Sequence, residues 1–228
     1  MLDYIWLNDK SPILNQLPNK FKSAVILLHP FVKMPLGWGK NNRKNDDEHI
    51  YPSDKDILEY GKPVSWKTML HESGLTSLGE LAIALKTSIG ALRKQYARKD
   101  LAERLLSSIK DDLYYPNEDF TSIFLITDLI NVLESKGANQ LSYSDPILDK
   151  SGTINPKCIT PLDFSELSLK ELMITDENMD FAFMNVYDSF ITILMAKDEN
   201  IEEIVKVINC ETIVCDKDTY INWYSQAY

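Results

Sequence analysis

The chain is predicted to fold as an α+β protein, with a helical layer over about residues 53–136 packed on a mostly C-terminal β-sheet. Three observations carry that expectation. Residues 181–186 and 190–196 are apolar runs of strand length separated by Tyr187, Asp188 and Ser189, which have turn chemistry, so they read as a hairpin. Residues 200–209 then show helical spacing and residues 211–216 a β-branched run, so a β-α-β unit follows the hairpin. Between residues 53 and 136, in contrast, apolar side chains recur at helical intervals and capping residues punctuate the pattern.

Taken in order, the first twenty residues hold Pro12, Pro18 and several Asn, and form an irregular arm with apolar anchors at Tyr4, Ile5, Trp6 and Leu7. Residues 24–28 make the first strand, which ends at His29-Pro30 because proline cannot donate to a ladder. Residues 35–49 read as a long loop. A short helix covers residues 54–60, stopped by Gly61 and Pro63. Ser65 caps a helix reaching Glu72, with Gly74 as its left-handed terminator. Ser77 and Glu80 have capping-box spacing and start a helix through Leu85. Thr87 or Ser88 caps the next, which carries Ile89, Leu92 and Tyr96 on one face. Leu101, Leu105 and Ile109 project on another side, so the long pattern breaks near Lys99, where Asp100 and Glu103 again have capping spacing. Asn117 caps a longer helix, with Phe120, Ile123, Phe124, Ile130 and Leu133 inward, ending at Gly137.

Residues 138–161 are turn-rich, with Pro146, Gly152, Pro156 and Pro161 and one strand near residues 141–143. They are expected to connect a mainly helical part, residues 1–137, to a sheet-rich part, residues 162–228. A helix over residues 164–172 and a closing helix over residues 218–225 complete the reading.

Composition narrows the class. With 228 residues, 44% apolar and 25% charged, the chain is rich enough in apolar side chains for a packed core and unlike a disordered segment. A net charge of −10 repels phosphate backbones and anionic membranes. The opening residues lack the basic and apolar regions of a signal peptide, and no run of 18 apolar residues occurs, so a cytoplasmic protein without membrane contact is expected. Cys158, Cys210 and Cys215 are odd in number and suit reduced thiols better than a disulfide framework, and a Cys210–Cys215 bond is within reach but not expected.

Chemical motifs are scarce. His29, His49 and His71 stand at no ligand spacing and no Cys-x-x-Cys occurs, so neither a metal nor a cofactor is expected. There is no phosphate-cradling glycine loop and no Gly-x-Ser-x-Gly. Two segments, residues 81–102 and 176–190, resemble an uncharacterised family of Bacillus-type bacteria catalogued as a domain of unknown function. The resemblance implies a cytoplasmic bacterial protein and supplies no reaction.

These observations support a non-catalytic interaction protein, regulatory or immunity-like, more readily than an enzyme. A basic protein partner is expected to meet Trp38 or the carboxylates Asp176, Glu177, Asp180 and Asp188. The alternative is a helix-turn-helix-like DNA-binding regulator built on helices within residues 77–98, contacting nucleic acid through Ser88, Arg93, Lys94 and Arg98. It draws on a charge asymmetry: residues 76–110 carry seven basic and three acidic side chains, a net +4, and the remainder is −14. The motif departs from the usual pattern at Lys86 and Thr87, where glycine and an apolar residue are common. A third reading is an enzyme centred on His29, at a strand end, or on the carboxylates from Asp176 to Asp188. Against it, a lone histidine before a proline serves as a structural hydrogen-bonding group, and Asp176 and Asp188 have turn roles.

Overall fold

Where the sequence runs apolar without alternating, the chain is buried on both faces of a sheet. The computed structural model describes residues 2–45, 50–168, 170–198 and 200–225. Along the first half the elements are α1 (Ile13–Gln16), β1 (Ser23–Leu28), β2 (Phe31–Lys33), α2 (Trp38–Asn42), α3 (Asp54–Tyr60), β3 (Lys62–Val64), α4 (Trp66–Ser73), α5 (Leu78–Ser88), α6 (Lys99–Ser108) and β4 (Leu113–Tyr114). Along the second they are α7 (Ile123–Ser135), β5 (Leu141–Asp145), β6 (Lys150–Ile154), α8 (Pro161–Ser165), β7 (Met173–Asp176), β8 (Phe181–Asn185), β9 (Ile191–Ala196), α9 (Ile201–Val205), β10 (Thr212–Val214) and a 3-10 turn at Trp223–Ser225. The chain divides into two compact units, residues 1–29 with 117–221 and residues 30–116 with 222–228.

The first unit is built on a sheet of order β10-β1-β9-β8-β7-β5-β6. Strands β1, β7, β8 and β9 are buried along their whole length, which accounts for their unbroken apolar sequences. β8 and β9 form the expected hairpin, with Phe183 opposite Leu194. The β-α-β unit is also present in an opened form. β9 and β10 both pair antiparallel with β1, so they run parallel to each other with β1 between them and α9 in the crossover. α8 lays Phe164 on Phe183 of β8, ring centroids 5.8 Å apart and nearly parallel, and α7 packs against α8. α7 buries Ile123, Leu125, Ile126, Leu129, Ile130, Val132 and Leu133. At about 1.5–3 kcal/mol per fully buried aliphatic side chain, this helix is among the larger contributors to the unit's core.

The second unit packs α4, α5 and α6 together and carries a small sheet of order β3-β2-β4. Phe31 stands edge-on to Trp66 at 6.2 Å, and Trp66 lies 6.5 Å from Trp223. The expected caps at Ser65 and Gly74 are present. Ser53 and Asp56 form a reciprocal capping box, Ser65 caps α4, and Gly74 takes φ 66° at its end. Ser77 accepts from Glu80 N, but the Glu80 carboxylate reaches back to Thr76 rather than to Ser77.

Six expectations change. The loop expected over residues 35–49 holds α2, Trp38–Asn42, and its residues 46–49 lie outside the described residues. The helix after Ser88 is absent: residues 89–97 are turns. Gly90 takes φ 74°, and the amides of Gly90 and Ala91 fold back onto the Thr87 and Lys86 carbonyls at 3.1 and 2.9 Å. That is a left-handed helix stop, so Thr87 and Ser88 end α5 instead of starting a helix. α6 begins at Lys99 as the changing apolar face requires, but Asp100 lies inside its first turn and Arg98 holds the cap position. α7 begins at Ile123 rather than at Asn117, because Asp119 adopts φ 64° and its amide bonds Ser189 O. Residues 138–161 include the β5–β6 hairpin of the large sheet, whose turn is set by Asp145 Oδ1 accepting from Ile147 N and Leu148 N. The helices expected at 164–172 and 218–225 shrink. α8 stops at Ser165, residues 173–176 join the sheet as β7, and Asp216 Oδ1 captures Thr219 Oγ1 and Asp218 N in a local turn.

Candidate functional site

His29 is fully buried, with Nδ1 3.0 Å from Asn117 O and Nε2 2.9 Å from Thr192 Oγ1. Burial pushes its pKa down to about 4, with the Asn117 carbonyl opposing the shift. With Nδ1–H donating to the carbonyl, Nε2 accepts from Thr192. The ring is a neutral structural link between β1 and β9, set away from solvent.

The four candidate carboxylates do not converge. Asp176 is buried in the β7–β8 turn, where Oδ1 accepts from Phe181 N and Oδ2 from Asn178 N. Glu177 accepts from Asn139 N and Gln140 N, and those amides hold its pKa below the usual carboxylate range. Asp180 pairs with Lys197 at 3.0 Å. Asp188 occupies the β8–β9 turn with φ 52°. The length of β8, five residues or roughly 17 Å, separates it from the other three. Trp38 is half-buried in the second unit, edge-on to Tyr114 at 5.9 Å.

The nucleic-acid candidates lose their common helix. Ser88 ends α5 and donates to Leu85 O, Arg93 and Lys94 are exposed on turns, and Arg98 is bound bidentately by Asp100 at 2.9 and 2.6 Å. No helix within residues 89–97 is available to enter a major groove.

A polar junction forms around Asn185, at the end of β8. Its Oδ1 accepts from Leu172 N at 2.7 Å, and its Nδ2 donates to Lys170 O at 2.8 Å and to Asp119 O. The Asn185 carbonyl accepts from Tyr4 Oη at 2.8 Å, and Tyr187 N donates to the same hydroxyl at 3.2 Å. Asp119 in turn accepts from Asp188 N and pairs with Lys170 at 3.2 Å. The Asp119 carboxylate raises the Lys170 pKa above its ordinary value. Tyr4 is also raised, chiefly by burial and further by the negative charges of Glu171 and Asp119. Glu171 itself is 1% exposed, and neither carboxylate oxygen has a hydrogen-bond partner. Beside the junction, Lys170 and Leu172 join Phe120, Thr121, Phe164 and Ser168 around a cavity of about 20 Å³, room for about one water molecule. Small-molecule sites usually enclose about 300–1,000 Å³.

Of the expected site residues only Asp188 belongs to this junction. Asn185, Asp119, Lys170, Glu171 and Tyr4 were not singled out. The available signal was a polar residue inside an apolar strand, the Asn185 of residues 181–186, together with the charged pair Lys170-Glu171 just before another apolar run.

Charge is divided between the two units. The sheet unit carries 10 Lys, no Arg and 22 Asp or Glu, a net −12, whereas the helical unit carries 14 Lys or Arg against 12 Asp or Glu, a net +2. Among the described residues no three His, Cys, Asp or Glu side chains form a metal-holding group, and no helix is long and apolar enough to cross a membrane.

An α+β fold whose larger sheet ends in a polar junction around Asn185 is the class these features define. The chain belongs to the family described as "Protein of unknown function (DUF2711)", which it matches over residues 9–225. It is 49% identical to the "Uncharacterized protein YwbB" of Bacillus subtilis (strain 168), over 98% of this chain and all of that protein. No solved structure matches.

Proposed function

We propose that the protein is a non-catalytic interaction protein whose sheet unit receives a basic protein partner. The observation that carries this reading is the net −12 of that unit, in which no arginine offsets the carboxylates. Such a surface raises the encounter rate with a cationic protein and disfavours anionic ones. A basic nuclease-type toxin is one partner class that fits, and an immunity-like or regulatory role follows from it. Further support comes from the placement of His29, Asp176, Glu177 and Asp180, each engaged in a structural role.

The test is capture on the immobilised chain from a lysate of the source organism, eluted with increasing salt. A retained protein of basic pI that elutes as salt rises, and that binds the purified chain directly, is the expected result. Recovery of nucleic acid alone, or of no protein at low salt, would overturn the reading.

A further inference from the structure

Among the described residues Glu171 is the one carboxylate with both oxygens buried and without a hydrogen-bond partner. The arrangement around it is built. Asn185 clamps the backbone on either side of it, through Leu172 N and Lys170 O, so the position of Glu171 is fixed while its carboxylate is left without donors. The nearby Lys170 ammonium is committed to Asp119. A buried carboxylate in this condition forfeits its hydration without replacement, and a cationic donor relieves that loss.

The N-terminal arm, residues 2–8, has no regular structure, and its Tyr4 lies within electrostatic reach of the Glu171 carboxylate. The arm is tied here by the Tyr4 hydroxyl, which bonds Asn185 O and Tyr187 N. Tyr4, Trp6 and Tyr187 stand edge to face in a row, with centroids 4.9 and 6.3 Å apart, while Trp6 and Tyr187 remain 56% and 57% exposed. The exposed aromatic faces that continue from Tyr4 and the unsatisfied carboxylate are the two elements that recognise a guanidinium: planar stacking and a two-pronged acceptor.

We propose that Glu171, together with the Tyr4–Trp6 arm, is the receptor for an arginine side chain of the basic partner. The guanidinium forks onto the two Glu171 oxygens and stacks on Trp6 or Tyr187 as the arm lifts. The inference rests on the basic-partner reading and names the group that partner inserts. Lysine, a point donor, matches two parallel acceptors less well. A quaternary ammonium has no hydrogen to donate.

The experiment titrates the intact chain with argininamide, lysinamide, free arginine and tetramethylammonium, following the Trp6 indole N–H by NMR, assigned with Trp6→Phe. The expected result is a saturable shift with argininamide, roughly fivefold or more weaker binding of lysinamide, and loss of the response in Glu171→Gln. Tyr4→Phe frees the arm and tightens argininamide binding by roughly fivefold. That variant and the ligand series decide the matter even where Glu171→Gln fails to fold. No saturable shift in either the wild type or Tyr4→Phe overturns the site, as does an equal response to tetramethylammonium. A tighter response to free arginine than to argininamide overturns the assignment to a protein side chain. If capture of a basic protein fails while argininamide still saturates, the receptor stands without that partner. If capture succeeds and argininamide gives nothing, the receptor falls and the acidic surface remains.

Discussion

Acidification should withdraw a defined share of stability through His29. The ring is fully buried, its folded pKa is about 4, and an unfolded histidine titrates near 6.5. Between those values the unfolded chain binds a proton that the folded chain refuses, so stability rises with pH across the window. The contribution is fully present above about pH 6.5 and is lost as pH falls toward 4. The gap of about 2.5 pH units corresponds to about 3 kcal/mol, a large part of the ~5–15 kcal/mol by which domains are stable. His29→Gln supplies a reference that cannot titrate there. Urea unfolding of both proteins between about pH 7.5 and pH 4 should show the wild-type advantage shrinking by about 3 kcal/mol. A difference that stays constant with pH, or a His29 ring signal that titrates near 6.5 by NMR, would refute the reasoning.

Asn185→Ala strips partners from Leu172 N, Lys170 O and Asp119 O at once, and should cost about 3–5 kcal/mol in urea unfolding; a cost under about 1 kcal/mol would mean that water replaces the amide. Cys158 is exposed, while burial pushes Cys210 and Cys215 up to about 12, so a thiol-disulfide reagent near neutral pH should modify one thiol quickly and two more only on unfolding. Gly90→Ala meets no atom within 4 Å, so its cost is the left-handed backbone alone, about 1 kcal/mol; a rise in helix content by circular dichroism would show that residues 89–97 are poised to extend α5.

Much of the fold was legible because its causes are local. The β8–β9 hairpin, the strand at β1 and the caps at Ser65 and Gly74 each follow from periodicity or from one side chain's bonding. The failures come from competition that a window of sequence does not display. Ile89, Leu92 and Tyr96 have helical spacing, yet Gly90 ends the helix among them and leaves Ile89 and Tyr96 exposed. Residues 164–172 read as a helix, whereas long-range bonds from Asn185 hold residues 170 and 172 at the entry to β7. The same dependence hid the candidate site. Glu171 is unremarkable until Asn185 bonds the backbone on both sides of it and the distant Tyr4 comes within electrostatic reach of its carboxylate. Charge asymmetry was visible early, but the division into −12 and +2 needed the chain to return from residue 117 into the unit begun by residues 1–29.

The most direct measurement is amide hydrogen exchange on the purified chain with and without its captured basic partner. Protection concentrated in the N-terminal arm and around residues 170–190 is the outcome this account predicts, with residues 86–110 exchanging as in the free protein. Protection confined to residues 86–110, or a partner that is itself acidic, would contradict it.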